Sequence, residues 1–255
     1  MKSNKRLGQH FIVDPLYIER IISISEISSD DIVLEIGTGY GTLTKRLCEK
    51  AKIVISYEID ERLFDISQKL LKSYNNLILL NDNALKTKYS FNKIVSNLPY
   101  YLSKKFVYWL IKKSFTSATV TLQKDFVEKL ISTPSSTNYK AISVVSQLAF
   151  NINIYDKIPP TAFHPPPKVY SYIVKFEPKS QVKLDDSQIK IINQIFTFRG
   201  KKIRSLIKHF YKNKIYKIKL NENKIFNLEK RVEDLHPLEC LSLAKFLLEQ
   251  KIKSF

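Results

Sequence analysis

Four consecutive residues, Asn97-Leu98-Pro99-Tyr100, follow an apolar strand-like run, Lys93-Ile94-Val95-Ser96, and together offer an amide, a backbone carbonyl and an aromatic face. That set suits the holding of an exocyclic amino group on a nucleobase. An adenine N6 nitrogen is a weak nucleophile because its lone pair is delocalised into the ring. If the Asn97 side-chain oxygen and the Leu98 carbonyl accept its two N–H bonds, the nitrogen is pushed toward pyramidal geometry while Tyr100 stacks on the ring. Amino-group alkylation is the chemistry implied. Taken alone, the four residues are read first as a strand end closed by an Asn-x-Pro turn, so their surroundings must decide.

The chain has only five glycines, and three fall in Gly37-Thr38-Gly39-Tyr40-Gly41, directly after Val33-Leu34-Glu35-Ile36. A Gly-rich turn from strand to helix lets a ligand approach the backbone closely, and both dinucleotides and S-adenosylmethionine use it. Glu58, 21 residues past Gly37, stands where an acid can accept both hydroxyls of a ribose, which both ligands carry. The dinucleotide fingerprint wants Gly-x-Gly-x-x-Gly; here the spacing is Gly-x-Gly-x-Gly, with no later glycine making room for a pyrophosphate. S-adenosylmethionine is therefore the expected cofactor. Asn81-Asp82-Asn83-Ala84-Leu85 closes a third strand, where Asp82 or Asn83 can accept from the cofactor's adenine amino group. A sulfonium donor releases a neutral thioether, so no metal is needed. Cys48 and Cys240 lie far apart and the four histidines show no ligand spacing, which fits.

The elements that must position these residues are β-branched apolar runs alternating with helical patterns. Residues 32–36, 53–59, 77–80, 93–97 and 118–122 read as strands, with three and four spacing between, as in Leu63, Ile66 and Leu70. This alternation predicts an α/β fold, a mainly parallel sheet with helices on both faces. Residues 147–158 and 170–176 read as two further strands joined by the proline-rich 159–167, an antiparallel edge. After Pro178 the pattern turns helical, with Ile189, Ile192, Ile195 and Phe196, then Ile203, Leu206, Ile207 and Phe210, then a run over 238–251. A domain boundary is expected there: 1–178 catalytic and cofactor-binding, 179–255 small, basic and helical.

Of the 255 residues 44% are apolar and 26% charged, a globular composition, and 42 Lys+Arg against 24 Asp+Glu give a net charge of +18. A polyanion partner follows. From 178 to 255 there are 18 basic and 8 acidic residues, and from 199 to 219 nine basic residues and no acid. No stretch approaches the ~18 apolar residues that cross a bilayer, and the basic start is followed by no apolar leader core, so a cytoplasmic location is expected.

With these residues in order, the chain resembles the KsgA-type rRNA adenine N6,N6-dimethyltransferase family over nearly its full length. Lys5-Arg6-Leu7-Gly8-Gln9-His10-Phe11-Ile12 is similar to the family's N-terminal signature, whose Gln-Asn-Phe-Leu portion closes over the cofactor. His10 stands where the family has Asn and Ile12 where it has Leu, and the resemblance implies cofactor contacts from both. Gly37, Gly39, Glu58 and Asn97-Leu98-Pro99-Tyr100 match directly. In the family's Gly-Asp-Ala-Leu motif, aligning Ala84-Leu85 selects Asn83, while aligning the carboxylate selects Asp82. The run from Phe163 through Pro165-Pro166-Pro167-Lys168-Val169 to Ser171 is similar to a family loop in which Phe covers the target base opposite the catalytic aromatic ring. The resemblance gives Phe163 that role. Phe198-Arg199-Gly200-Lys201-Lys202 resembles the family's Arg-Arg-Lys helix, Gly200 replacing an Arg; Lys168, Arg199, Lys201, Lys202 and Arg204 are the implied rRNA contacts. The shorter length and residues 133–139 resemble the archaeal branch.

The resemblance implies a Rossmann-like S-adenosylmethionine-dependent methyltransferase fold, a mostly parallel seven-stranded sheet with an antiparallel edge strand, plus a small C-terminal helical domain. It implies four methyl transfers to two adjacent adenosines in a terminal hairpin loop of small-subunit rRNA during ribosome assembly. The partner would be immature small-subunit rRNA, and the protein a monomer. The nearest alternative, the macrolide-resistance dimethyltransferases of large-subunit rRNA, shares the fold and N-terminal signature; Leu98 and Pro165-Pro166-Pro167-Lys168-Val169 favour the small-subunit branch. A DNA adenine methyltransferase lacks support because nothing resembles a sequence-reading module. A catalytically inactive rRNA-binding assembly factor is the alternative from another class, against which Gly37, Gly39, Glu58, Asn97, Pro99 and Tyr100 are all present. A dehydrogenase would bind a nicotinamide cofactor.

Overall fold

The computed structural model describes residues 8–211 and 226–252. Lys5, Arg6 and Leu7 of the N-terminal signature, and the basic stretch 212–219, lie outside the described residues. The chain forms two compact units, one from residues 1–127 with 151–178, the other from 128–150 with 179–255.

The first unit is built on a seven-stranded sheet in the order β4 (Leu77–Leu80), β3 (Ile53–Tyr57), β2 (Ile32–Ile36), β5 (Lys93–Ser96), β6 (Ser117–Gln123), β9 (Ser171–Pro178), β7 (Phe150–Ile158). Strands β4 through β6 are parallel, with Ile36 opposite Tyr57 and Tyr57 opposite Leu80. Val33, Leu34, Val54, Ile55, Ile94 and Val95 are all buried, as continuous β-branched runs must be when helices cover both faces. Full burial of each such side chain contributes about 1.5–3 kcal/mol. Strand β9 pairs antiparallel with β6, from Ala118 opposite Phe176 to Gln123 opposite Ser171. The antiparallel strand is thus inserted between β6 and the edge strand β7, one position inside the edge.

Because β2, β3, β4 and β5 run the same way in register, their carboxyl ends lie side by side. The strand order departs in opposite directions from β2, to β3 on one side and β5 on the other, and the crevice above such a reversal is where open α/β sheets bind ligands. A Ser96 hydroxyl donating to the Ile36 carbonyl at 2.6 Å ties the two ends at that point. Strand β3 stops at Tyr57, so Glu58 and Ile59 leave the sheet there. Helix α3 (Glu61–Leu70) starts at once, its first turn capped by the Asp60 carboxylate accepting from Leu63 N; Leu63 and Ser67 form its buried face and Leu70 is exposed.

Helix α1 (Pro15–Ser25) buries Ile18, Ile21, Ile22 and Ile24 against the sheet. Its β-branched content disfavours a helix, but Asp14 accepts from Leu16 N at 2.9 Å and Pro15 presets the first turn. Just before it, β1 (Phe11–Ile12) pairs antiparallel with β8 (Phe163–His164), Ile12 opposite Phe163. This two-residue ladder straps the N-terminal segment to the proline-rich loop. Helix α2 (Thr42–Cys48) follows the glycine turn, and α4 (Ser103–Leu110) follows Tyr100.

The second unit contains α6 (Ala141–Ala149), α7 (Asp186–Ile195), α8 (Ile203–Tyr211) and α9 (Pro237–Ile252), with α6, α7 and α9 packed on one another. A reciprocal cap starts α7: Gln188 N donates to Asp185 Oδ1 at 2.8 Å, and Asp185 N to Gln188 Oε1 at 3.2 Å. Tyr139 is wholly buried and donates to the Leu235 carbonyl at 2.8 Å. Residues 128–150 group with the helical unit, whereas the composition change at 178 assigns them to the first. Residues 147–149, expected in a strand, end α6, and the strand begins at Phe150. Among the described residues no helix is long and apolar enough to cross a membrane.

Candidate functional site

Asn97 leaves the end of β5, and its amide is held on both sides. Nδ2 donates to the His10 carbonyl at 2.7 Å, and Oδ1 accepts from the Thr121 hydroxyl at 2.6 Å. A carbonyl oxygen only accepts, so the amide nitrogen must face His10 and the oxygen must face Thr121. Thr121, buried in β6, was not singled out by spacing because its partner lies 24 residues away. Leu98 is buried, and Pro99 opens a short 3-10 turn over Tyr100–Leu102. The Tyr100 hydroxyl is bonded to Ser171 Oγ at 2.7 Å. Burial pushes the phenol pKa up, opposed by that bond.

At the end of β2, Gly37 N donates to the Tyr57 carbonyl at 2.7 Å and Gly39 N to Glu58 Oε2 at 2.8 Å. Gly39 has φ +59°, and a Cβ there would lie 3.1 Å from the Phe11 ring. Only glycine takes that conformation and clearance together. Glu58 is buried, with Oε1 accepting from Asp60 N at 2.9 Å; burial raises its pKa, opposed by the backbone donors of Asp60 and Gly39. Deeper in β2, Glu35 accepts from Ser56 Oγ at 2.6 Å and Thr44 Oγ1 at 2.7 Å. Complete burial pushes its carboxyl up to about 8; the two hydroxyls oppose the shift and the Glu58 charge adds to it. At the end of β4, Asp82 Oδ1 accepts from Asn83 N at 2.6 Å, while Asn83 Oδ1 accepts from Leu85 N at 3.0 Å as the cap of a 3-10 turn.

These residues share one cavity of about 230 Å³. Its walls include His10, Ile12, Gly37, Gly39, Glu58, Asp82, Asn83, Asn97, Leu98, Pro99 and Tyr100, together with Glu35, Tyr101 and Lys105, which sequence spacing did not mark. Phe163 is elsewhere: it is 3% exposed, set in the core cluster with Ile12, Ile18 and Ile173, and does not line the cavity. Its pairing opposite Ile12 turns it inward with that residue. The ring lying on Tyr100 is His10, with centroids 5.2 Å apart and planes 30° apart. His10 Nδ1 is 2.7 Å from the Pro165 carbonyl.

In the helical unit the basic residues divide. Arg199 is half-buried and engaged within its own unit through Nε and Nη2. Its Nε donates to the Tyr139 carbonyl at 3.1 Å, its Nη2 to the Ser136 carbonyl at 2.7 Å, and Nη2 pairs with Glu233 at 3.1 Å. The planar fork of donors closes the loop over 136–139, which a lysine could not do. Lys202 and Arg204 are exposed but share Glu229, at 2.7 Å in the case of Lys202. Lys201 is exposed, and so is Lys168 in the other unit. A side chain at Gly200 would meet nothing within 4 Å.

Residues 1–249 match the family model described as ribosomal RNA adenine dimethylase. The chain is 39% identical over 222 residues to ribosomal RNA small subunit methyltransferase A of Clostridium botulinum (strain Loch Maree / Type A3), covering 81% of this chain and 80% of that one. It is 34% identical over 258 residues to the probable ribosomal RNA small subunit methyltransferase A of Thermococcus gammatolerans, covering 100% and 92%. Among solved structures, a dimethyladenosine transferase from Plasmodium falciparum superposes with a TM-score of 0.81 at 30% identity, covering 96% of this chain and 99% of that one.

Proposed function

This chain belongs to the ribosomal RNA adenine dimethylase family, and on that premise we propose that it transfers methyl groups from S-adenosylmethionine to the N6 amino groups of two adjacent adenosines in a hairpin loop of small-subunit rRNA during ribosome assembly. The observation carrying this reading is the Asn97 amide, whose orientation His10 and Thr121 fix at the cavity wall beside the Tyr100 ring. Oδ1 retains a second lone pair, which accepts one N–H of the target amine. Tyr100, anchored through Ser171, provides the surface on which a flipped adenine stacks. An adenosine in a loop is already partly unstacked, so its extrusion costs less than from a duplex.

The donor set fits S-adenosylmethionine. Gly37 and Gly39 bring bare backbone to the cavity wall, Glu58 is proposed to accept the ribose hydroxyls through the remaining lone pairs of its carboxylate, and His10 and Ile12 line the same cavity. Asn83 Oδ1 is already engaged as a turn cap, whereas Asp82 has an oxygen beyond the one that accepts from Asn83 N. We propose Asp82 as the acceptor for the cofactor's adenine amino group, with Asn83, whose Oδ1 keeps a second lone pair, as the alternative. When bound, S-adenosylmethionine supplies an activated methyl group whose leaving group is a neutral thioether. The residues orient the amine and exclude water; none needs to remove its proton before transfer. After one methylation a single N–H is left, and rotation about the C6–N6 bond must bring the lone pair back toward the donor while Asn97 or the Leu98 carbonyl keeps one contact.

Lys168, Lys201, Lys202 and Arg204 are proposed to meet rRNA phosphates, a sequence-independent and salt-sensitive contribution. The test is mass spectrometry of small-subunit and large-subunit rRNA after incubation with the protein and labelled S-adenosylmethionine. Two dimethyladenosines in small-subunit rRNA support the reading. Label only in large-subunit rRNA overturns the substrate, and no label in either leaves an inactive assembly factor.

A further inference from the structure

We propose that the His10 imidazole is a placeholder for the target base: it covers the Tyr100 face in the free protein and must leave it when an adenine stacks there. The proposal rests on the function proposed above. The imidazole lies on Tyr100 at 5.2 Å, inside the cavity that Asn97 and the glycine turn share. It is latched from outside, because the Pro165 carbonyl 2.7 Å from Nδ1 can only accept, which makes Nδ1 the donor. Tyr100 is held in place by its own hydroxyl bond to Ser171.

The His10 backbone is fixed independently of its side chain. Its carbonyl accepts from Asn97, and Phe11 and Ile12, which follow it, pair with β8. Rotation about the side-chain bonds therefore removes the imidazole without disturbing the aimed amide. An incoming ring must supply more stacking than the imidazole and compensate for one broken hydrogen bond. A purine has the larger face, so the exchange favours adenine over a pyrimidine before any hydrogen bond to Asn97 forms. A site whose open form is only partly populated binds more weakly in proportion to that fraction, which is the cost of keeping the pocket closed to other rings.

His10 is one of four histidines, so its carbon-bound ring protons can be assigned by NMR with a His10→Asn variant. In the free protein they should resonate upfield under the Tyr100 ring current, and move downfield in Tyr100→Ala. Adenosine 5′-monophosphate added with S-adenosylhomocysteine should move them downfield in the wild type, and uridine 5′-monophosphate should not. His10→Ala should tighten binding of an adenosine-containing rRNA hairpin by about three- to tenfold. Resonances insensitive to Tyr100→Ala, resonances that stay upfield at saturating nucleotide, or weaker hairpin binding by His10→Ala would each overturn the placeholder. None of these readings depends on methyl transfer, so an inactive protein would sink the proposed function while the placeholder is still decided.

Discussion

Asn97 in the sheet unit and Arg199 in the helical unit each donate to main-chain carbonyls, and the consequences are opposite. Asn97 anchors its nitrogen on His10, and that anchor aims its oxygen at a cavity wall. Arg199 places its Nε and Nη2 donors on Tyr139, Ser136 and Glu233, and as a guanidinium it has no acceptor for them to aim. An amide has two ends, so one can be fixed to orient the other; a guanidinium has only donors, and each one used inside the protein is one fewer for a ligand. Positive charge in a sequence thus reports composition, not availability.

The largest effect should come from breaking the aimed end. Asn97→Ala should lower methyl transfer by about 10²- to 10³-fold, the range for removing one preorganised polar contact to a reacting group, with rRNA binding in a filter assay retained. Transfer at the wild-type rate would show that the amide is only a strand cap. Arg199→Ala should instead unfold more easily, by about 2–4 kcal/mol, because two loop carbonyls and Glu233 lose their partner. Urea titration reads this, and Arg199→Lys should recover little of it. A wild-type midpoint with weakened rRNA binding would return Arg199 to the interface.

A buried acid extends the contrast from donors to protons. Glu35, pushed up to about 8 by burial, stays protonated in the fold at pH values where the unfolded chain has released its proton. Its contribution is fully present below the unfolded pKa and is lost as pH rises toward 8. Between pH 6 and 8 the wild type should lose about 2 kcal/mol relative to Glu35→Gln, given ~1.4 kcal/mol per unit of pKa difference. Parallel stability profiles for the two proteins would mean that the Ser56 and Thr44 hydroxyls hold Glu35 ionised. The smallest effect belongs to the exposed pair: Lys202→Ala should weaken rRNA binding about two- to threefold and flatten its salt dependence, with stability changed by less than about 0.5 kcal/mol.

What the sequence disclosed follows the range of the interactions involved. Strands β2, β3 and β5 are legible because burial on both faces leaves β-branched apolar runs, and the glycine turn because its backbone conformation restricts the residue type. Helix α6 is less so: Ala141–Ala149 is apolar and partly β-branched, and buried nearly all round, so periodicity does not separate it from a strand. The two-residue ladder of β1 and β8 is too short to leave any pattern. At the site, the residues that touch the cavity were mostly visible, whereas those that orient them were not. Thr121 is 24 and Ser171 71 positions from its partner, and no local spacing encodes such bonds. The inward turn of Phe163 was hidden for the same reason, since it depends on which strand pairs with residues 163–164.

The partner of the Asn97 amide nitrogen is a main-chain oxygen, which every amino acid at position 10 possesses. The aim of the amide is therefore inherited from the path of the chain. A change of side chain at position 10 leaves that acceptor in place, so the orientation of the Asn97 amide does not depend on which residue stands there.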